Sequence, residues 1–517
     1  MTGAAGLNGA VRGLLHHAAA FFVDSPDVTR RLDQQLHRLD QPLRVAIAGK
    51  VKAGKSTLLN ALVGEQIAAT DAAECTRVVT WYQDGPAPTV VLHPHVGSPR
   101  PLPVRRDDGA LIIDMQEGSA EQVERLVVDW PSQSLRSTTL IDTPGIASTS
   151  TAISQRTVTF LTPADEAVTE ADAVVYLMRH LHATDAQFLD SFRDQAVSQA
   201  SAANTVAVLS RADEVGGGRV DAMSSARLIA RRYQSEPVLR GLCQTVVPVS
   251  GLLALTGRTL HRAEFAALTE LAHLPRAESD AALLSVDRFI SAGTSGRGTR
   301  AAADAISVQT RRGLMDRLGL FGVRLSVTLL RQGTDSPAAL AQELVRRSGV
   351  QELTEVLRTL FTSRRDLLKA RSALLLVESL LLENSAREKE LSDGARRTLA
   401  AEMERIVSGA HELAELRLLS AIRSGEVAFP AEQAAEAERL LGGSGVSPAV
   451  RLGMPTDAEP DALRQTGMET LRRWQTWAEH PLHGRAAAHA CRAVTRSCEG
   501  MLVALAATEP PLDEVHR

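Results

Sequence analysis

The chain has 517 residues, 44% of them hydrophobic, and a formal net charge of −4 at pH 7. Its length exceeds what one hydrophobic core usually supports, so we expect two or three domains, and its acidic balance argues against a protein that binds nucleic acid through a general positive field. The four cysteines are scattered without a C-x-x-C pattern, which favours a reducing compartment over a disulfide scaffold.

Membrane-spanning and secretory signals are weak in this sequence. No apolar run reaches the roughly 18 residues that a transmembrane helix needs. The apolar segment 14–23 lacks the basic region and the cleavage site of a signal peptide. We therefore expect a cytoplasmic protein that is soluble or attached peripherally to a membrane.

The first 42 residues predict helix. Leu32, Leu36 and Leu39 recur at helical spacing over the segment 11–42, and Pro42 ends it. These helices form the first predicted unit, residues 1–42. Because an amphipathic helix must cover an apolar surface, we expect them to pack on the helices predicted late in the chain.

The segment 44–62, RVAIAGKVKAGKSTLLNAL, runs from an apolar strand through a glycine-rich turn into a helix. It contains the P-loop pattern G-x-x-x-x-G-K-S/T in the strand–loop–helix context that the pattern requires. Backbone N–H groups of such a loop bind phosphates at a helix N-terminus, where the helix dipole favours negative charge. We expect Lys55 to reach the β- and γ-phosphates and Ser56 to hold Mg²⁺. The predicted phosphate-binding residues are Gly49, Ala53, Gly54, Lys55, Ser56 and Thr57.

A short polar segment, Ala73-Glu74-Cys75-Thr76-Arg77, follows the P-loop helix. Thr76 is the best candidate for a threonine that binds Mg²⁺ and orients the attacking water, and Thr80 competes with it. The nearby segment 85–109 is rich in Pro and Gly, which predicts a turn-laden insertion.

The motif DTPG follows a later apolar strand. Asp142, at the end of that strand, is placed to hold Mg²⁺ through water. Gly145 is placed to offer its N–H group to the γ-phosphate. Both roles depend on the P-loop that precedes the motif.

Two further strand ends predict the recognition of a guanine base. The segment 206–213 ends in Ser210-Arg211-Ala212-Asp213, and Asp213 can accept hydrogen bonds from the N1–H and N2–H₂ edge of guanine. Adenine lacks this pair of donors, so it would leave the carboxylate unsatisfied. Arg211 can lie over the base, and the strand end at Ser250 and Gly251 can offer backbone N–H groups to guanine O6. The usual motif is N/T-K-x-D, so SRAD is a looser match.

The pattern of apolar runs divides the rest of the chain in two. Strands and helices alternate over 43–256, which predicts an α/β domain with a mostly parallel sheet and helices on both faces. From about 257 the strand signal disappears, and residues 257–517 predict a helical bundle and trunk. The segments 364–383 and 395–422 could form a hairpin more than about 30 Å long.

The order GKVKAGKST, CTRVVT, DTPG, SRAD and VPVSG, with helices before and after it, resembles that of bacterial dynamin-like GTPases. The resemblance implies GTP hydrolysis with Mg²⁺, and pairing of GTPase domains with each other or with a second dynamin-like protein. It also implies a trunk that acts at the inner face of the cell membrane. The tip of this trunk is expected near 384–397, where the residues offered to anionic lipid are Arg387, Lys389, Arg396 and Arg397.

Two positions of the P-loop depart from the resemblance. Eukaryotic dynamins carry a water-positioning Gln where this chain has Val51, and usually Ser where it has Lys52. The loss of the Gln predicts slow turnover. Lys52 is a candidate catalytic cation that offsets transition-state charge, and an ordinary solvated lysine is an equal alternative.

Two other functions stay open at this point. The first is a GTP-binding scaffold that hydrolyses little and serves a partner, and Val51 favours it. The second is a GTPase linked to the ribosome or to RNA. The acidic balance and the lack of an aromatic-basic patch count against that reading, so no nucleic-acid partner is expected.

Overall fold

The computed structural model of the protein describes residues 4–68, 78–107, 110–113, 122–145, 170–182, 185–186, 189, 204–291, 306–386, 392–480 and 484–507. Within them, a nine-stranded sheet has the order β11-β10-β9-β1-β8-β2-β7-β3-β4. The pair β5-β6 forms a separate ribbon. The strands are β1 (Leu43–Gly49), β2 (Val79–Asp84), β3 (Thr89–Pro94), β4 (Arg100–Leu102), β5 (Val104–Asp107), β6 (Ala110–Ile113), β7 (Val123–Trp130), β8 (Thr138–Asp142), β9 (Ala173–Met178), β10 (Thr205–Ser210) and β11 (Val246–Val249).

The centre of the sheet is parallel and covered on both faces. β9 and β10 are buried at all six of their positions, as expected for strands that read as continuous apolar runs. β1 pairs in parallel with β8 on one side and with β9 on the other. The carboxyl ends of these strands therefore meet at one edge, which is where open α/β sheets bind ligands.

The far edge of the sheet is antiparallel. β3 pairs in this way with β7 and with β4. The segment 85–109, predicted to be rich in turns, contains β3, β4 and β5 as well as turns. Pro101 lies in β4, at the end of the strand order, where a missing N–H group interrupts no internal ladder.

Helices cover both faces of the sheet, as predicted. Alternate residues of β1 enter opposite hydrophobic clusters, Val45 and Ile47 on one face and Ala46 and Ala48 on the other. The helices of this half are Lys55–Val63, Ala222–Ser235, Pro237–Arg240, Gly251–Arg258, Arg262–His273, Arg276–Ala282, Val286–Ser291, Val308–Arg331, Pro337–Arg347 and Val350–Leu360. The fold class, an α/β domain joined to a helical region, is confirmed.

The packing is continuous across residue 257. Leu268 and Leu318 belong to one of the two clusters that cover the sheet, and Leu353 and Phe361 belong to the other. The domain boundary at 256/257 therefore stays a prediction.

A third cluster joins the N-terminal helices to helices that begin at residue 365 or later. Leu14 and Leu32 are fully buried and pack with Leu376, Leu399 and other residues of the late helices. The predicted packing of the N-terminal helices on late ones is present. The helices of this bundle are Ala4–Phe21, Pro26–Asp40, Arg365–Ala386 and Asp393–Gly409.

The last described part of the chain forms a further helical cluster around Trp474, whose side chain is fully buried. Its helices are His411–Ser424, Ala431–Leu440, Pro448–Leu452, Pro460–Ala478 and Arg485–Ala507. Among the described helices, none has both the length and the apolar composition needed to cross a bilayer.

Asp172 joins the bundle to the sheet. Its side chain is 3% exposed, and its Oδ1 accepts hydrogen bonds from Arg38 Nη2 at 2.8 Å and Ser372 Oγ at 3.2 Å. Its Oδ2 accepts from the backbone N–H of Arg44 at 2.9 Å. Close by, Lys369 Nζ donates to the carbonyl of Leu39 at 3.1 Å. One buried carboxylate thus binds two bundle helices and the first strand.

We expect Asp172→Ala to lower the free energy of unfolding by about 3–5 kcal/mol, because it removes the acceptor of a buried ion pair and of two further donors. Urea denaturation followed by circular dichroism measures this change. Asp280→Ala is the matched control, since Asp280 pairs with Arg276 on the exposed surface and should change stability little. Equal midpoints for the two variants would contradict the role of Asp172.

Candidate nucleotide-binding site

The phosphate loop lies between the end of β1 and the helix Lys55–Val63. Gly54 caps this helix with a φ of 90°, in the left-handed region that favours glycine. A Cβ atom on Gly49 would lie 2.5 Å from the carbonyl oxygen of Leu177 in β9, so only glycine fits there. Lys55 Nζ donates to the carbonyls of Gly49 at 3.2 Å and Lys50 at 3.4 Å, so the lysine folds back over the loop.

The DTPG motif lies beside this loop, because β8 is the neighbour of β1. Ser56 Oγ donates to Asp142 Oδ2 at 2.7 Å, which brings together two of the three residues predicted to hold Mg²⁺. Burial raises the pKa of Asp142, and the nearby Lys55 ammonium and the Ser56 hydroxyl oppose that shift. Burial likewise lowers the pKa of Lys55, against the attraction of Asp142.

The second oxygen of Asp142 fits a role in metal binding. Oδ1 is buried and has no hydrogen-bond partner among the described residues. A hydroxyl and a carboxylate supply the hard oxygen ligands that Mg²⁺ prefers, directly or through water. The residues present therefore fit a Mg²⁺ ion at this position.

The turn of the DTPG motif packs against the P-loop. Thr143 Oγ1 donates to the carbonyl of Ile47 in β1 at 2.9 Å, which fixes the start of the turn. A Cβ atom on Gly145 would lie 2.5 Å from Val51 Cγ2, so glycine is required for this approach. The structure thus brings Gly145 next to the residue that replaces the dynamin Gln.

A cavity of about 110 Å³ lies beyond the P-loop, at the ends of β10 and β11. The residues of the predicted base motif line one side of it, and residues of the P-loop helix line the other. Its predicted site residues are Ala53, Gly54, Thr57, Ser210, Arg211, Asp213 and Gly251. The P-loop and the SRAD motif therefore share one cavity, although about 150 residues separate them in the sequence.

Asp213 is 7% exposed, and burial raises its pKa, while a hydrogen bond from the Ser250 hydroxyl opposes the shift. Ser250 Oγ also accepts the N–H group of Leu253 at 3.3 Å, as the N-cap of the helix Gly251–Arg258. The backbone N–H group of Ser250 donates a hydrogen bond to the carbonyl oxygen of Ser348 at 2.9 Å. That N–H group is therefore engaged within the protein, and the contact with guanine O6 stays a prediction for Gly251.

Arg211 is held by a residue that the sequence analysis missed. Arg211 Nη1 donates to Glu214 Oε1 at 2.8 Å, and Arg179 pairs with the other oxygen of the same carboxylate. Burial alone would raise the pKa of Glu214, but the two arginines outweigh it and lower that pKa. Arg211 adopts a left-handed backbone with φ 51°. The carboxylate of Glu214 thus fixes the head of Arg211 at the rim of the cavity.

A second missed group anchors the start of the P-loop. Asp185 is 1% exposed and accepts hydrogen bonds from Lys50 Nζ at 3.0 Å and from the Tyr176 hydroxyl at 2.7 Å. Its Oδ2 also accepts the N–H group of His182 at 3.1 Å. Lys50 and Asp185 are 135 positions apart, so nothing local in the sequence signals the pair.

Several predicted residues stand apart from this geometry. Thr76 lies outside the described residues. Its competitor Thr80 pairs with Asp142 across β2 and β8, and its hydroxyl donates to the carbonyl of Val78 at 3.3 Å. Lys52 is exposed on the P-loop with a φ of 63°.

Known proteins resemble this chain over part or most of its length. The sequence model of the dynamin family matches residues 45–212. The Isoniazid-induced protein IniC of Mycobacterium tuberculosis (strains CDC 1551 / Oshkosh and ATCC 25618 / H37Rv) is 39% identical over 503 residues, which cover 96% of this chain and 98% of the relative. A Bacterial dynamin-like protein of Nostoc punctiforme is 32% identical over 117 residues, 20% of this chain and 17% of that protein.

Among solved structures, an oligomerised bacterial dynamin pair described as a mechanism for the long range sensing and tethering of membranes aligns with 13% identity. The alignment covers 96% of this chain and 75% of that chain, with a TM-score of 0.31.

We expect Asp213→Asn to weaken the binding of GTP by about 10- to 150-fold, because charged hydrogen bonds of this kind contribute roughly 1.5–3 kcal/mol. The variant should prefer xanthosine triphosphate, whose 2-oxo group accepts a hydrogen bond from an amide. Titration calorimetry with both nucleotides measures the change. An unchanged affinity for GTP would show that Asp213 does not contact the base.

Proposed function

This chain belongs to the dynamin family, and on that premise we propose that it binds and hydrolyses GTP with Mg²⁺ and couples the reaction to remodelling or maintenance of a membrane. The observation that carries the proposal is the hydrogen bond of Ser56 to Asp142 beside the amine of Lys55. These are the groups that a nucleoside triphosphate with its metal ion requires, and the base cavity adjoins them.

The chemistry we infer is attack of water on the γ-phosphate, which breaks the bond between the γ-phosphorus and the β–γ bridging oxygen and releases GDP and phosphate. Mg²⁺, when bound by Ser56 and Asp142 and by Thr76 as we propose, neutralises charge on the phosphate oxygens. Lys55 adds a fixed positive charge at the β- and γ-oxygens. Val51 is 45% exposed and aliphatic, so it cannot orient a water molecule by hydrogen bonding.

The aliphatic side chain of Val51 also supports the alternative function, a GTP-binding scaffold of low turnover that serves a second dynamin-like protein. Both functions use the same nucleotide site, and they differ in the rate of the chemical step. Single-turnover hydrolysis in the presence and absence of liposomes separates them. A rate that stays at the level of the reaction without enzyme favours the scaffold.

We expect Lys55→Ala to abolish binding or hydrolysis of GTP, because it removes the side-chain charge that the motif directs at the β- and γ-phosphates. The melting temperature should stay near that of the parent, since the Lys55 amine bonds only to carbonyls of its own loop among the described residues. Fluorescent-nucleotide binding and phosphate release measure the two effects. If this variant hydrolysed GTP as fast as the parent does, the P-loop would not be the phosphate-binding site.

For Lys52 we expect a different pattern. If its amine offsets transition-state charge, Lys52→Ala should slow single-turnover hydrolysis at saturating GTP without weakening binding, and Lys52→Arg should restore part of the rate. Equal rates for the parent and Lys52→Ala would dismiss the catalytic role and leave Lys52 as a solvated loop residue.

The geometry of the bundle supports a membrane-contacting tip far from the sheet. Lys369 binds the carbonyl of Leu39, which places the start of the helix Arg365–Ala386 beside the end of the helix Pro26–Asp40. Because the start of one helix lies beside the end of the other and the two pack together, they run in opposite directions. At about 1.5 Å per residue, Leu382 and the turn before Pro26 both lie roughly 20 Å beyond that contact.

Exposed apolar side chains are found at this level. Phe21 is 40% exposed, Val23 is 70% exposed and Leu382 is 57% exposed. Arg396 and Arg397 start the returning helix, whereas the predicted Arg387 and Lys389 lie outside the described residues. The segment predicted as the tip has no aromatic side chain of its own, and the exposed apolar side chains at this level include Phe21 and Val23 of the N-terminal part of the chain. Apolar side chains flanked by arginine suit an anionic lipid surface.

We expect the protein to sediment with anionic but not neutral liposomes, and more strongly with a GTP analogue, because each basic residue near the lipid contributes only about 1 kcal/mol and GTP-driven assembly multiplies the contacts. Reversal of the four tip charges to Glu should abolish sedimentation. The replaced residues are Arg387, Lys389, Arg396 and Arg397.

A control variant carries the same change in net charge on the half that contains the sheet. It replaces four exposed arginines by Glu, namely Arg219, Arg276, Arg346 and Arg358. Sedimentation of this control should match that of the parent. If the tip variant binds as well as the control does, the lipid site lies elsewhere, and if the parent never binds, the scaffold function is favoured.

A further inference from the structure

The long helix Val308–Arg331 is broken next to the base cavity. Gly319 has φ 63° and ψ 176°, a conformation that essentially only glycine adopts. A Cβ atom at Gly319 would lie 3.8 Å from Asp213 Oδ2. The break therefore faces the carboxylate proposed to read the guanine base.

The second half of this helix holds the segment that follows Asp213. Arg324 Nη1 donates to the carbonyls of Gly217 at 3.2 Å and Gly218 at 2.6 Å. Arg324 Nη2 also donates to the carbonyl of Leu283 at 2.6 Å. Gly218 also lies beside the backbone of Phe321, since a Cβ atom on Gly218 would be in van der Waals contact with the Phe321 nitrogen at 3.5 Å. The hydrogen bonds of Arg324 thus fix this segment to the helix.

The first half of the helix is tied to the other side of the cavity. Two residues before the break, the carbonyl of Arg317 accepts a hydrogen bond from Thr256 Oγ1 at 2.5 Å. Thr256 belongs to the helix Gly251–Arg258, whose N-cap Ser250 also donates to Asp213. The two halves of the broken helix therefore hold the two segments that position Asp213.

We propose that Gly319 is a positioning residue for guanine recognition: its break lets one helix hold both segments around Asp213 and so orients the carboxylate toward the base. The proposal rests on GTP being the ligand of this cavity. A side chain at position 319 could not keep this backbone conformation. The helix would then straighten or shift, and Arg324 and Phe321 would move with it.

The selectivity for guanine over hypoxanthine reports on this orientation. Hypoxanthine keeps the N1–H group of guanine but lacks the 2-amino group, so an aligned carboxylate loses one of its two donors with inosine nucleotides. A general loss of stability weakens GTP and inosine triphosphate (ITP) equally, whereas a turned carboxylate lowers the GTP preference alone. The ratio of the two dissociation constants therefore separates positioning from stability.

The test compares Gly319→Ala with Gly313→Ala in the full-length protein. Gly313 lies in the same helix, has nothing within 4 Å of its Cβ position, and does not have a positive φ. We expect the parent and Gly313→Ala to bind GTP about tenfold or more tightly than ITP. In Gly319→Ala this ratio should fall to within about threefold of unity.

An unchanged ratio in Gly319→Ala overturns the proposal while leaving the guanine site intact. If the parent itself does not prefer GTP, the proposed base recognition fails, and this inference fails with it. Should Gly319→Ala not fold, Arg324→Met replaces it, since it removes the contacts to Gly217 and Gly218 without changing the break. A lowered ratio in that variant supports the proposal, and a parent-like ratio overturns it.

Discussion

The hydrogen bond between Ser56 and Asp142 is the contact on which the arrangement of the site depends. It forms because β1 and β8 are parallel neighbours, so that the loops leaving them start from the same edge of the sheet. The same register puts the DTPG turn against the P-loop, where Thr143 binds the backbone of β1. An antiparallel pairing of these strands would send the two loops to opposite edges. The topology of the sheet thus brings the P-loop and the DTPG turn together at one edge.

Features that depend on contiguous residues could be predicted from the sequence. The P-loop, the DTPG turn and the SRAD segment each occupy one strand end, and their apolar strands correspond to β1, β8 and β10. Groups that meet through tertiary structure and belong to no sequence motif could not be predicted. Asp185 reaches Lys50 across 135 positions, and the break at Gly319 depends on what the helix packs against. A glycine inside a helical pattern indicates only a lower helix propensity at that position, and its φ cannot be inferred from its neighbours.

The division of the chain into an α/β half and a helical half describes the secondary structure but not the packing. Predicted strands end near residue 256, whereas helices after that residue still cover the sheet. Leu318 and Leu353 supply apolar surface to opposite faces of the sheet, and Ser348 binds the backbone of Ser250 in the base motif. The amino-acid pattern predicts whether a segment is a helix or a strand, but it does not predict which face of the sheet a helix packs on. Helices predicted to form a separate trunk therefore pack on the sheet, and the segment between two of them contacts the predicted base motif.

The electrostatics of the site give this arrangement a thermodynamic consequence. Burial raises the pKa of Asp142 and lowers that of Lys55, so the folded state disfavours the charged form of both groups. Stability from the carboxyl group is lost as the pH rises through its raised pKa, and stability from the amine is lost as the pH falls through its lowered pKa. At a pH where both groups are charged, both charged forms oppose folding. A triphosphate beside Lys55 and a cation beside Asp142 would remove both costs together, so binding of such a ligand would stabilise the folded state.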